Sequence, residues 1–570
     1  MRLIKLSANH ESFKTVNFRP YGITLVVGSQ SKSGETYNGV GKSLIIQLVN
    51  FCLGARANEQ FADKLKTWEF TLEFDLDGTH HTVARGTQSQ NIMRLNEADM
   101  TLKAFNLWMG ERAFAIPDEI AGMSFRSLLP KFLRRGNVEY VKPLHSGEAT
   151  DLAEILHNAF LLGLEAALVT RKAALRKEIS RIAVLRKNFK VDDLLKEFSS
   201  GGKDAGIHLS YLDQRIQALE KDKVAFVVAE NYHELRKSAD ELSEQIARDT
   251  NTSFLLRATV ENIEISIREQ PDLPIERLHA LYGELTQNFK PEALKRLEDV
   301  ADFHRRMLAN RIARLSREKL KLLDSLKFLE ANLRKARVEL DKRMQTLGET
   351  RALDQYTALV SQISDLKAQA QKLRDYQAME REYSDKEAGL KVLMSEEVVA
   401  TNAYLDETKP ERERNFRVFS DFAAEFYPNK IAGISVHNNT GDNLIRFDIA
   451  VHIENDTSDG INEVRIFCYD LTLLTLRMGH RIDFVFHDSR LFANMDVRQR
   501  AVLFKLAHRV TKKNGLQYIA TLNPDFISGM EGEFQPDELK EIIVENIVLE
   551  LKDSSPEDKL LGINVDMNYE

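Results

Sequence analysis

Residues 25–46 have the sequence LVVGSQSKSGETYNGVGKSLII, and the interpretation of the whole chain depends on this stretch. It opens as an apolar strand that reaches Gly28, and it contains Gly39-Val40-Gly41-Lys42-Ser43, the usual ending of a phosphate-binding loop. Ten residues separate Gly28 from Gly39, where the usual loop has about two. We interpret residues 29–37 as an insertion, of undetermined role, in a nucleotide site that is otherwise kept from Asn38 onwards.

Each residue type in this motif suits one part of a bound nucleoside triphosphate. The glycines allow backbone N–H groups to face the phosphates, Lys42 can reach the β and γ oxygens, and Ser43 can offer its hydroxyl to Mg²⁺. The helix predicted to follow presents its positive end to the same anion. The sequence therefore predicts ATP and Mg²⁺ as cofactors. The predicted contact residues in this region are Gly28, Asn38, Gly39, Val40, Gly41, Lys42, Ser43 and Leu44.

The composition is that of a folded protein with much solvated surface. Charged residues make up 29% of the 570 residues and hydrophobic residues 43%, and the formal net charge is −7. That charge disfavours extensive coating of nucleic acid, so any DNA contact needs a local basic patch. No apolar run approaches the length of a membrane span, and Cys52 and Cys468 form no metal-type pair. We expect a cytoplasmic protein with no membrane partner and with both cysteines buried.

The middle of the chain has the heptad spacing of packed helices. Apolar residues from Leu315 to Leu347 and from Leu359 to Leu373 recur at intervals of three, four and seven, with charges between them. A proline-containing stretch near residues 269–294 interrupts the helical pattern, so we expect an antiparallel coiled coil that folds back once. The predicted divisions are an N-terminal lobe over 1–160, an ascending arm over 161–269, a reversal over 270–300, a descending arm over 301–410 and a C-terminal lobe over 411–570.

Strand-like segments return in the C-terminal lobe, and one of them ends in an acid. The segment IDFVFHDS (482–489) predicts a buried strand followed by Asp488, which could hold the magnesium ion together with Ser43. ATPases of this type normally place a Glu after that Asp as general base, but Ser489 stands here. His487 is the adjacent titratable group, although strand alternation points it to the opposite face from Asp488. The candidate catalytic residues are thus Asp488, Ser489 and His487, and we expect slow or gated hydrolysis.

The order of these elements resembles the SMC/RecN group of ABC-type ATPases. The resemblance implies an α/β ATPase head assembled from both chain ends, a long antiparallel coiled-coil insertion, and a homodimer whose heads enclose ATP. It also implies that a signature loop at Ser458 and Gly460, a loop at Asp496 and a basic residue at Lys14 take part in binding. Two positions depart from the group's pattern: Asp459 replaces a usual glycine, and Asn523 stands where a switch histidine is normally found.

A closer resemblance is carried by FKTVNFRP, YNGVGKSLII, IFCYDLTLL and FHDS, which are similar to the coiled-coil ATPases of Lamassu-like bacterial defence systems. This resemblance implies a role in antiviral or anti-plasmid defence, sensing of DNA, in particular DNA ends, and control of a separate effector with a small accessory subunit. Basic residues that could contact DNA include Lys131, Arg134 and Arg135, although charged runs usually form ordinary solvated surface.

A different class of function stays open, in which ATP locks the heads without significant hydrolysis and the arms hold partner proteins as a scaffold. DNA-stimulated ATP turnover would favour the sensing clamp, whereas tight ATP retention without turnover would favour the scaffold. A phosphate-loop kinase or GTPase with a coiled-coil insert is disfavoured, because neither an acceptor motif nor a guanine-recognition motif is found in the sequence.

Overall fold

The structure is a computed structural model that describes residues 1–29, 39–117, 120, 122–145, 147, 149–191, 205–225, 232–268, 291–346, 351–455 and 459–565. The chain divides into two units. One, here called the α/β unit, contains Met1–Lys177, Phe289–Arg296 and Leu393–Glu570. The other, the helical unit, contains Glu178–Asn288 and Leu297–Val392.

Among the described residues, strands are confined to the two ends of the chain, and long helices lie between them. The strands are β1 (Arg2–Ala8), β2 (Val16–Asn17), β3 (Gly22–Ser29), β4 (Glu69–Leu76), β5 (Thr79–Gly86), β6 (Ile92–Leu95), β7 (Ala98–Thr101), β8 (Ala432–Asn438), β9 (Phe447–Ile453), β10 (Phe484–His487), β11 (Gln517–Leu522) and β12 (Ile547–Lys552). The helices are α1 (Lys42–Cys52), α2 (Glu59–Lys64), α3 (Leu102–Ala113), α4 (Phe125–Leu128), α5 (Asp151–Leu161), α6 (Ala166–Val191), α7 (Ala205–Ala225), α8 (Tyr232–Arg268), α9 (Pro291–Thr346), α10 (Arg351–Glu407), α11 (Lys409–Phe426), α12 (Asp459–Leu476), α13 (Val497–Asn514), α14 (Pro524–Ser528) and α15 (Pro536–Ile542).

The central sheet of the α/β unit combines strands from both chain ends. Its order is β10-β11-β3-β12, and every neighbouring pair is parallel. The N-terminal strand β3 thus lies between two C-terminal strands, and its residues from Gly22 to Gly28 are buried. Continuous burial explains why this strand is mostly apolar, since a parallel strand is covered on both faces. The prediction that both chain ends build one α/β unit is confirmed.

The second sheet is antiparallel and is formed by the N-terminal region alone, with the order β2-β1-β4-β5-β6-β7. Strands β4 and β5 form a hairpin, and its turn residues Asp77 and Gly78 have φ values of 54° and 73°. Both values lie in the left-handed region that a tight hairpin turn requires. Strands β8 and β9 form a separate antiparallel pair.

Within the helical unit, α7 packs antiparallel against α10. Leu212, Ile216 and Leu219 form an apolar cluster with Ile363 and Ala370. Ion pairs flank this cluster, and in them the residue numbers run in opposite directions along the two helices. The pairs are Asp213–Arg374 at 2.6 Å and Glu220–Lys367 at 2.7 Å.

Helix α8 runs back along α7, and α9 reverses direction again. Lys223 of α7 pairs with Asp240 of α8 at 2.6 Å. The same Asp240 accepts a hydrogen bond from Tyr356 of α10 at 3.4 Å, and the Lys372 ammonium of α10 lies 4.0 Å from the ring centre of Phe254. Helix α8 is therefore parallel to α10. Between α8 and α9 the ion pairs again run in opposite directions, with Arg257–Glu330 at 2.5 Å and Glu264–Lys319 at 2.7 Å.

Helices α7 to α10 of the helical unit therefore form a four-helix arrangement, and the predicted pair of arms with a single reversal does not match these described helices. The chain direction also changes between α7 and α8 and between α9 and α10. Heptad spacing shows that a helix packs against others, but it does not give the number of partners or the position of each turn. Residues 269–290, which contain most of the predicted reversal, lie outside the described residues. Among the described helices, none is long and apolar enough to span a membrane.

The reversal between α7 and α8 can be tested by cross-linking. Cysteines introduced at Lys223 and Asp240 should be joined by a short bis-maleimide, because the two side chains form an ion pair. In an uninterrupted arm the same positions would lie about 25 Å apart at ~1.5 Å per residue. A matched pair at Lys367 and Ser384, with the same sequence separation within α10, should not react. The native Cys52 and Cys468 are buried and should stay unmodified. Absence of the 223–240 product in the folded protein would contradict the four-helix arrangement.

Candidate functional site

The phosphate-loop motif lies between the end of β3 and the start of α1. Gly39 and Gly41 have φ values of 79° and 105°, which residues with a side chain rarely adopt. Lys42 begins α1 and folds back over Gly28, where an added Cβ would lie only 2.6 Å from Nζ of Lys42. The glycine at position 28 is thus needed for the close approach of the lysine side chain. Asn38 lies outside the described residues.

Lys42 is electrostatically coupled to Asp488, although the two residues are at opposite ends of the chain. Its side chain is buried, and burial lowers the pKa of Lys42 to about 8, while the negative charge of Asp488 opposes that shift. A buried cation with a lowered pKa gains most from an added anion, because the anion favours its protonated form. The loop therefore has the charge, the helix N-terminus and the glycine geometry that suit a phosphate group.

Asp488 follows β10 and is held by two neighbouring groups. It is 2% exposed, and its Oδ1 accepts hydrogen bonds from the Ser489 backbone N–H at 2.7 Å and from Thr521 Oγ1 at 2.6 Å. Its own backbone N–H donates to the Tyr140 hydroxyl at 2.9 Å. These bonds fix the plane of the carboxylate at the same edge of the sheet as the phosphate loop, because all four strands are parallel.

Ser43 and Asp488 carry the kind of oxygen atoms that a magnesium ion prefers as ligands. Ser43 is the second residue of α1 and is partly buried, and Asp488 Oδ2 lies 3.9 Å from Nε of Arg490. Mg²⁺ prefers oxygen ligands and usually takes only one or two from protein, with the remainder from water and phosphate. Ser43 and Asp488 would hold the ion here. Within the described ranges, no group of three or more His, Cys, Asp or Glu residues that could hold a metal is found.

His487 is not bonded to groups at this edge, so the geometry does not support its prediction as a catalytic residue. The ring is fully buried, with Nε2 3.0 Å from Asp470 Oδ2 and Nδ1 3.2 Å from the Tyr518 hydroxyl. Burial lowers the pKa of His487, while Asp470 acts in the opposite direction. Alternation along β10 explains the difference, because consecutive residues of a strand point to opposite faces. His487 belongs to a buried polar network instead.

Arg134 belongs to the same buried network, and neither Arg134 nor Lys131 lies on the surface as predicted. Arg134 is fully buried and pairs with Asp470, with Nη2 2.7 Å from Oδ1. Lys131 is also fully buried, and its Nζ donates to the carbonyl oxygens of Pro143 and His145 at 2.9 and 3.0 Å. Neither cation can meet DNA from these positions, so the predicted basic patch is wrong for both residues. The neighbouring Arg135 is partly buried, and its guanidinium pairs with Glu139 at 3.4 Å.

The residues expected to face a second copy have structural roles within this chain. Gly460, at the start of α12, lies against the loop before α13, where an added Cβ would be 2.8 Å from the Asn494 carbonyl oxygen. Asp496 caps α13 by accepting a hydrogen bond from the Gln499 backbone N–H at 2.6 Å. Capping does not test a contact with another copy, which stays a prediction. Ser458 lies outside the described residues.

Lys14 is placed close to the phosphate loop by an unexpected segment of the chain. Its backbone N–H donates to the Leu560 carbonyl oxygen at 2.8 Å, and the Leu560 N–H donates to the Val40 carbonyl oxygen at 3.1 Å. Leu44 of α1 and Leu560 line the same small cavity. Whether the Lys14 ammonium touches a phosphate stays a prediction.

Sequence reasoning missed Thr521, Tyr140 and Leu560. Thr521 stands two residues before Asn523, near the end of the strand beside β10. A hydroxyl residue in that position could have indicated that Thr521 contacts Asp488. Tyr140 gives no such signal, because its contact with Asp488 joins residues that are remote in sequence. Leu560 is an ordinary apolar residue in a short loop. No periodic pattern distinguishes it.

Three comparisons with known proteins give distant similarities. A family model described as "Uncharacterised protein conserved in bacteria (DUF2326)" matches residues 422–565. The uncharacterized protein YydD of Bacillus subtilis (strain 168) is 20% identical over 609 residues, covering 97% of this chain and 96% of that protein. A crystal structure of an SMC head bound to the C-winged helix domain of ScpA is 11% identical and covers 93% of this chain and 91% of that chain, with a TM-score of 0.31. At these levels of similarity, function must be inferred from this chain's own residues.

Replacing Thr521 with Val should weaken magnesium-dependent nucleotide binding by about tenfold, because it removes a hydrogen bond to the Asp488 carboxylate with little change in volume. Replacing Thr521 with Ser keeps the hydroxyl and should restore most of the affinity. Titration of a fluorescent ATP analogue with and without Mg²⁺ measures both effects. Equal magnesium dependence in the wild type and the Val variant would show that Thr521 does not position the metal-binding carboxylate.

Proposed function

We propose that this protein is an ATP-binding clamp whose α/β unit holds Mg²⁺–ATP between the phosphate loop and Asp488. Lys42 would neutralise the terminal phosphates, the N-terminus of α1 would receive them, and Ser43 with Asp488 would hold the ion. The single observation that supports this most directly is the electrostatic interaction of Lys42 with Asp488 at one edge of a sheet built from both chain ends.

The proposal includes a second copy of the chain and slow hydrolysis. In the SMC/RecN group that the sequence resembles, a nucleotide on one head also touches the signature loop of the other, which here would involve residues Ser458, Gly460 and Asp496. Ser489 occupies the position of the usual general base, and its hydroxyl is too weak a base to activate water efficiently. Hydrolysis would then be slow, or gated by a base supplied from elsewhere.

The most specific part of the proposal is a role in bacterial defence. In that role the protein would sense DNA and control a separate effector with an accessory subunit. It rests on the sequence resemblance to Lamassu-like ATPases. The burial of Lys131 and Arg134 removes two of the basic side chains first considered for DNA. Stimulation of ATP turnover by linear DNA, compared with closed circular DNA of the same sequence, is the direct test.

The second candidate function is a scaffold locked by ATP, and Ser489 favours it. Without a general base, ATP could remain enclosed and hold the assembly in one state while the helical unit carries partner proteins. Retention of labelled ATP through gel filtration, with no phosphate released, would support the scaffold over the clamp.

Replacing Lys42 with Ala should abolish ATP-dependent dimerisation, because it removes the buried cation that faces the triphosphate. Light scattering with Mg²⁺–ATP measures the mass, and a far-UV circular dichroism spectrum checks the fold. The control is Lys367→Ala in the helical unit, which removes only a surface ion pair. ATP-dependent dimerisation of a folded Lys42→Ala variant would overturn the site assignment.

Replacing Ser489 with Glu should increase steady-state ATP turnover by about 100-fold, the lower end of what a general base contributes. The backbone at this position is already fixed by Asp488 Oδ1 and by Thr521 Oγ1, whose distance to the Ser489 N–H is 3.0 Å. Replacement with Gln gives a side chain of matched size without the basicity and should leave turnover unchanged. Equal rates for the Glu and Gln variants would show that a missing base does not limit hydrolysis.

A further inference from the structure

We infer that Lys559–Gly562, here called the strap, is a working part of the nucleotide site that holds the phosphate loop in its binding conformation. This inference deepens the proposed function and depends on it. The strap follows β12, the strand that pairs with β3 beside the phosphate loop, and register pairs Leu551 with Gly28.

The strap contacts the described part of the loop at Val40 and Gly41. Val40 stands between two glycines with positive φ, a combination that leaves a chain free to adopt many conformations. The Leu560 N–H donates to the Val40 carbonyl oxygen at 3.1 Å, and an added Cβ on Gly41 would lie 2.6 Å from the Leu560 Cβ. These contacts engage a carbonyl oxygen and the glycine Cα. Phosphates at a helix N-terminus are bound by N–H groups, so strap and ligand would use different atoms of the loop.

The packing between strap and loop is tight. Leu560 is fully buried, and the small, partly open cavity that the loop and the strap help to line has a volume of about 20 Å³, which is room for one water molecule. A displacement of the strap would therefore open a gap beside Gly41, and the loop would lose both its hydrogen bond and its apolar support. Loops that must be ordered on binding lose affinity, because the ordering entropy is taken from the binding free energy.

The strap is in turn anchored to the segment before β2, at a distance from the phosphate loop. Ser12 Oγ donates to the Leu561 carbonyl oxygen at 2.8 Å, and the Lys14 N–H donates to that of Leu560 at the same distance. Gly562 has a φ of +66°, and an added Cβ there would lie 2.3 Å from the backbone oxygen of Ser12. A side chain at position 562 must therefore push the strap away from its anchor without altering any residue of the loop.

The mechanism has a reciprocal consequence. If the strap raises the affinity for nucleotide, then bound nucleotide must stabilise the strap by the same free energy. Hydrogen exchange at the Leu560 and Gly562 amides should accordingly slow when Mg²⁺–ATP is added to the wild-type protein. A strap that merely completes the fold would exchange at the same rate with and without nucleotide.

The test is Gly562→Ala in the full chain, with Gly78→Ala as the matched control. Gly78 also has a positive φ of +73°, but an added Cβ there meets nothing within 4 Å, so the control carries the backbone strain without the collision. In titrations of a fluorescent ATP analogue with Mg²⁺, we expect Gly562→Ala to bind about tenfold more weakly and Gly78→Ala to bind like the wild type. If Gly562→Ala does not fold, Ser12→Ala, which removes only the Leu561 anchor, should weaken binding by a smaller factor.

The possible results distinguish a failure of the strap inference from a failure of the proposed function. Unchanged or tighter binding by a folded Gly562→Ala variant, or nucleotide-independent exchange of the strap amides in a wild type that binds ATP, overturns the strap and leaves the proposed function standing. A wild-type protein that fails to bind ATP overturns the proposed function, and the strap inference falls with it.

Discussion

The pairing of β3 with β11 on one side and β12 on the other is the interaction on which the rest of the structure depends. It joins the first strand of the central sheet to two strands from the opposite end of the chain through parallel hydrogen bonding. The residues proposed to bind phosphate follow β3, as does Ser43, whereas Asp488, proposed to hold the metal together with Ser43, follows β10. The complete site therefore forms only when the two ends have met. The long helical insertion is constrained to return to its starting point.

The parts of the molecule that follow from local sequence were predictable. A largely apolar run identified β3, and the glycines with the following lysine identified the loop. Each of these features is determined by residues close together in the chain, where periodicity and turn chemistry act. Their assembly at one sheet edge required the further assumption that the insertion folds back, which the resemblance supplied.

The features that could not be predicted depend on contacts between remote residues. Lys131 and Arg134 have the sequence character of a surface patch, yet remote partners satisfy them: backbone carbonyl oxygens for the lysine and Asp470 for the arginine. A buried cation is stable only with such partners, and a single sequence does not show which acid or carbonyl will supply them. The helix reversals were missed for a related reason, since a heptad seam looks the same in a two-stranded coil and in a four-helix arrangement.

The buried network around Asp470 also links the position of α12 to the position of β10. Asp470 is on α12, the helix that begins at the segment with Gly460, and it is bonded to His487 of β10 immediately before Asp488. A rigid, solvent-free linkage of this kind transmits displacement, because its members cannot exchange partners with water when one of them moves. A tilt of α12 would therefore displace β10 and change the orientation of the Asp488 carboxylate. A displacement of α12 would therefore reach Asp488 through the contact between Asp470 and His487, without any loop having to relay it.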